Sequence, residues 1–162
     1  MSNVTVDIRV DLVLDHGVEE LDETDVAARI AAGDTTSLRD VRALDGRLRI
    51  GDAEIFDELV PVVHVLCFNA VIALITDGAV FDYSYFSSNE SAQLRTDGDT
   101  VVLSGSDLPE TTFPRRDLLR SLYACGARWI ATLDQLGRAP EANHLRPFAT
   151  AASAAVAAAG LA

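Results

Sequence analysis

The 162-residue chain has no lysine; all 13 of its cations are arginine. That excludes a Schiff-base amine and the lysine of a phosphate-binding loop. The glycine patterns Gly-x-Gly-x-x-Gly and Gly-x-Ser-x-Gly are also missing, and Ser104-Gly105-Ser106 is only a loop signal. Cysteine is scarce. Cys67 and Cys125 stand 58 positions apart, each among apolar residues. Neither a Cys-x-x-Cys nor a His-x-x-x-His spacing occurs, so neither a metal nor another cofactor is expected. Two isolated thiols suit a reducing compartment, where they act as small core residues. The opening MSNVTVDIRV lacks a basic segment followed by an apolar one, so a cytoplasmic location is expected. The longest apolar run, Val60 to Ile75, is interrupted by Pro61, His64 and Asn69. It is shorter than the ~20 residues of a membrane span and suggests a buried element.

Positive charge is scarce as well. There are 25 acidic residues against 13 basic ones, a net charge of −12. Such a surface repels phosphate backbones and anionic lipid, so neither nucleic acid nor membrane is an expected partner. A basic protein partner is. The imbalance is local: residues 1–81 carry a net −10 and residues 82–162 a net −2. Asp11, Asp15, Glu19, Glu20, Asp22, Glu23 and Asp25 fall within fifteen residues that contain no arginine. These seven are the candidate partner-binding residues. The competing explanation is that acidity only maintains solubility, or follows from a genome-wide composition bias.

Hydrophobic residues make up 49% of the chain and the mean hydropathy is +0.18, enough for one folded core. Val4, Val6, Ile8, Val10 and Leu12 alternate with polar residues, which predicts a strand ended by a turn at Asp15-His16-Gly17. Thr24 to Ala32 predicts a short helix, capped by Asp22 or Thr24 and closed by Gly33. Asp45-Gly46 between short apolar runs predicts a hairpin within Val41–Ile50. Glu54 to Thr76 is expected to be helical, with Asp52 as its cap and Pro61 kinking or restarting it; a buried strand over Val60–Ile75 is the alternative. Strands are expected at Phe81–Tyr85, Ala92–Thr96 and Thr100–Leu103. Pro109 is expected to break the chain. Thr112 and Pro114 then start a helix reaching Leu136, whose Leu118, Leu122, Cys125, Trp129 and Leu133 fall on one face. Gly137 to Pro147 is expected to be a loop, followed by an alanine-rich helix.

The expected fold is α+β: an antiparallel sheet of about five to six short strands covered by two long helices. Residues 1–137 form a single domain. Residues 138–162 form a linker and an alanine-rich C-terminal helix that packs on the domain or on a neighbour.

His64 and Cys67, three apart, share a face if the segment is an α-helix. They make a candidate ligand pocket or thiol–imidazole pair. The competing explanation is a half-buried histidine near Pro61. Phe81, Tyr83 and Tyr85 are either a stacking platform or a packed sheet face. Arg115, Arg116 and Arg120 either bind an anion or pair with the acidic half. The leading expectation is a non-enzymatic binding module of the inhibitor or immunity type, neutralising a basic partner such as a toxin or nuclease. The alternatives are a subunit of a homo-oligomer or larger assembly docking through the alanine-rich tail, and a small ligand-binding or enzymatic domain at His64 and Cys67.

Overall fold

The computed structural model describes residues 3–161. Sheet A is antiparallel, in the order β2-β1-β3-β4, with β1 Val6–Leu14, β2 Gly17–Leu21, β3 Asp45–Ile50 and β4 Ala53–Glu58. Helices α1 Glu23–Ala32 and α2 Thr36–Asp40 lie between β2 and β3. Sheet B is a meander of β5 Val80–Ser84, β6 Ser91–Asp97, β7 Thr100–Gly105 and β8 Leu108–Pro114. Between the sheets in sequence runs a buried helical rod. It comprises one α-turn (α3, Leu59–Pro61), a π-helix over Val62–Asn69 and a last turn (α4, Ala70–Ala73). Two long helices follow, α5 Arg115–Gln135 and α6 Ala139–Ala158. Among the described residues, no helix is long and apolar enough to cross a membrane.

The α+β class agrees with the sequence. The layout differs: among the described residues eight strands form two four-stranded sheets, where one sheet of five to six was expected. Three local causes explain the difference. First, Glu19 and Glu20 belong to a short edge strand, β2, held by pairing with β1 rather than by any apolar alternation of its own. Second, Ala53, Ile55 and Asp57 point inward while Glu54, Phe56 and Glu58 point outward. This period-two segment pairs with β3, so the expected helix from Glu54 begins only at Leu59. The hairpin turn therefore falls at Gly51-Asp52, where Gly51 takes φ +58°, and not at Asp45-Gly46. Gly46 is a packing glycine; a Cβ there would come within 3.3 Å of both Ile8 and Leu59. Third, Pro109 lies in β8, an edge strand of its sheet, where a missing amide is tolerated. Thr112 is in that strand too, and Pro114 occupies the cap position of α5.

The rod is wrapped on several sides, which is why Val62, Val63, Leu66, Cys67 and Phe68 are all buried in so short a stretch. The long helix α5 lies against it, with Leu118, Leu122, Cys125, Trp129 and Leu133 facing in and Arg116, Arg120, Arg128 and Asp134 facing out. At the crossing, Gly126 lets the helices touch: a Cβ there would fall 2.7 Å from the Phe68 ring. The expected loop from Gly137 to Pro147 is mostly the first half of α6. Pro140 sits in its first turn, where the missing amide costs nothing, and Pro147 lies in its interior. Helix α6 packs on its own chain, on α5, the π-helix and α4, through Ala142, Leu145, Ala152 and Val156. Buried Arg138 holds the α5–α6 corner. Its guanidinium donates to the carbonyls of Leu38, Arg39, Val41 and Arg42 and pairs with Glu141.

Candidate functional site: the open face of sheet A

Alternation along β1 turns Val6, Ile8, Val10 and Leu12 into the core and leaves Asp7, Arg9, Asp11 and Val13 on the opposite face. Strand register carries that face across the sheet. Glu20 of β2 lies opposite Asp11 of β1, Asp11 opposite Asp45 of β3, and Asp45 opposite Glu58 of β4. Four carboxylates thus cross the sheet in one row. Like charges placed directly opposite destabilise a sheet, so an unbroken acidic row is costly to the fold. Next to it runs a row of Arg9, Arg47 and Phe56, and beyond that Asp7, Arg49 and Glu54. On the other side of the acidic row, Val13 faces Val18, and both are exposed.

Arg47 is the internal counter-charge. Its Nε donates to Asp11 Oδ2 at 3.0 Å, and its terminal nitrogens lie 3.4 Å from Glu20 and 4.0 Å from Glu54. Its guanidinium carbon sits 5.2 Å from the centre of the exposed Phe56 ring. Asp11 is 94% buried beneath this arrangement, and its Oδ1 has no hydrogen-bond partner among the described residues. Burial, followed by the neighbouring charges of Asp11 and Asp57, pushes the Asp45 carboxyl above its ordinary range. Arg49 instead grips Asp7 through two hydrogen bonds and holds that carboxyl below the ordinary range.

The seven acidic residues singled out by the sequence are divided by this geometry. Asp11 and Glu20 join the row. Asp15 is exposed in the β1–β2 turn. Glu19 pairs with Arg29 of α1. Asp22 and Asp25 form a reciprocal capping box at the start of α1, in which each side chain accepts the other's backbone N–H. Glu23 pairs with Arg128 of α5. The row's other members, Asp45 and Glu58, were missed. Their signal was the alternation of Asp45, Arg47 and Arg49 with Leu48 and Ile50, hidden because Asp45-Gly46 so resembles a turn.

His64 and Cys67 separate. The π-helix bonds i to i+5 and is wider than an α-helix, so three positions no longer bring a side chain back to the same face. His64 stacks on Phe148 of α6, ring centres 3.7 Å apart, with His144 edge-on at 5.7 Å. Burial and His144 lower its basicity. Cys67 turns the other way, into the α5 crossing, fully buried. Its thiol neighbours Cys125, and that contact together with burial pushes the Cys125 thiol far up. Tyr83 and Tyr85 are buried, so the aromatic stripe is a packed sheet face. Arg115 lies 4.0 Å from Asp77, while Arg116 and Arg120 are exposed.

A second polar centre lies on the core side of sheet A. Asp57 is fully buried and each of its oxygens receives two donors: Oδ1 from the amides of Glu58 and Ser87, Oδ2 from the Tyr83 hydroxyl and the Phe86 amide. Burial alone would raise its pKa. These donors outweigh it and hold the carboxyl below its usual value. Asp57 thereby pins the β5–β6 loop, on which Phe86 is 65% exposed. Among the described residues no three His, Cys, Asp or Glu side chains are grouped to hold a metal ion. Comparison of the chain with protein-family models, curated proteins and solved structures found no match.

Proposed function

We propose that the chain is a non-enzymatic binding module that presents the open face of sheet A to a basic protein, as an inhibitor or immunity-type protein does when it neutralises a toxin or nuclease. The observation that carries this reading is the row Glu20–Asp11–Asp45–Glu58. It sets like charges opposite one another at a cost to the fold, and it has one internal arginine in contact with it. Arginine or lysine side chains from a partner would supply the missing counter-charge. Phe56, Val13 and Val18 beside the row offer apolar area for such a contact. A net charge of −12 would steer a cationic partner toward the molecule and raise its association rate.

The test is affinity capture of basic proteins on the native chain and on a Glu20→Gln/Asp45→Asn/Glu58→Gln variant. The expected outcome is a cationic protein that the native chain retains, the variant loses, and salt releases as the Debye length falls toward ~3 Å near 1 M. Equal retention by both chains would overturn the reading.

A further inference from the structure

Strand β2 pairs with residues 10–14 of β1, whereas β3 pairs with residues 6–11. Among the described residues, the first half of β1 therefore has no strand on its β2 side. Its polar groups there are held by side chains. The Ile8 amide donates to Glu23 Oε2 at 3.3 Å, and the Val6 carbonyl accepts from Arg128 Nη2 at 3.0 Å. Glu23 and Arg128 bond each other, Nε to Oε1 at 2.9 Å. A carboxylate accepting from an N–H and a guanidinium donating to the next C=O on that edge reproduce what a neighbouring strand would do. Beside this plug lies a cleft of ≈ 710 Å³ between α1 and α5, with the short side chains of Thr24, Ala27, Ala131 and Thr132 on its walls.

We infer that this cleft is a strand-addition site: an extended, basic segment of the partner protein displaces the Glu23–Arg128 plug and continues sheet A along residues 6–9 of β1. The plug keeps the edge closed in the free protein, since an open edge invites aggregation. At 3.3 Å its bond to Ile8 is longer than an ordinary N–H···O bond, and a strand's backbone carbonyl would replace it. The cleft is lined by the carboxylates Asp7, Asp22 and Glu23 against the guanidiniums Arg49 and Arg128, an acidic balance that, with the acidic row on the same sheet, favours a cationic occupant. The inference rests on the proposed binding of a basic partner, and adds to it the backbone pairing.

The probe is the octapeptide (Lys-Val)4, blocked at both ends, with two analogues N-methylated at every valine or at every lysine. An added strand uses one of its two edges, so one analogue should bind about tenfold or more weaker and the other should keep the parent affinity. The Ile8 amide resonance should move with the two peptides that bind. Arg128→Gln, which loosens the plug and leaves the carboxylates in place, should bind the parent peptide more tightly. Equal binding of all three peptides would overturn strand addition and leave charge attraction to the acidic row intact. Absence of binding by the parent peptide would also overturn it, with the acidic row still judged by its own capture experiment.

Discussion

Asp57 shows how one buried residue organises its surroundings. Each oxygen faces two donors, so no amide orientation satisfies the site: in Asp57→Asn the NH2 group must point at a backbone N–H. The substitution should cost roughly 2–3 kcal/mol, read from urea denaturation at neutral pH. The folded pKa of Asp57 lies below the unfolded value of 3.8. Its contribution is therefore present above about pH 4 and is lost as the pH falls through the folded pKa, a loss the Asn variant should not show. Asp45 has the opposite sign. Its folded pKa is raised above 3.8, so its ionised form weighs against folding at neutral pH and stops doing so once the pH drops below 3.8. Asp45→Asn should raise the melting midpoint at pH 7, leave it unchanged near pH 3, and weaken partner binding. That combination marks a residue kept for contact rather than for stability. The thiols of Cys67 and Cys125 are fully buried. Alkylation of the native protein should be on the order of 100-fold slower than of the unfolded chain, because it must await local opening.

At the scale of elements, the crossing of α5 over the π-helix dominates the core. Leu122→Ala should cost ~2–5 kcal/mol, and Arg120→Ala on the wet side under ~1 kcal/mol. Gly126→Ala is the sharper test of the crossing. Its methyl group would lie 2.7 Å from Phe68 and 2.8 Å from the Cys67 Cβ. Although alanine favours an isolated helix, the variant should lose about 1–3 kcal/mol through overpacking. A stabilised Gly126→Ala would mean that the helices stand further apart. Both experiments need only chemical denaturation, with Trp129 fluorescence as the native-state reporter.

At the scale of the whole molecule, the acidity is unevenly spent. Glu19, Asp22, Glu23 and Asp25 hold α1 in place, through pairing with Arg29 and Arg128 and through the capping box. Neutralising these four should lower stability. Neutralising Glu20, Asp45 and Glu58 should change partner binding while preserving or raising stability. Comparing the two sets by thermal denaturation and by salt-dependent association separates charge that builds the fold from charge that meets a partner.

Local patterns in the sequence carried much of this far. The period of β1, the Asp22–Gly33 brackets of α1, the strands at Ala92–Thr96 and Thr100–Leu103 and the buried face of α5 were legible because each depends on neighbours a few residues apart. The acid-rich stretch was visible for the same reason. What only the tertiary structure decided is pairing between distant segments: that Glu19 and Glu20 become a strand, that Asp45 and Glu58 complete a row begun by Glu20 and Asp11, and that Glu23 meets Arg128. It also decided that His64 and Cys67 face apart, because Val62–Asn69 winds as a π-helix. Strand register and helix crossings are set by long-range packing and burial, and a single-sequence period of two or of 3.6 holds no information about which partner lies across the gap.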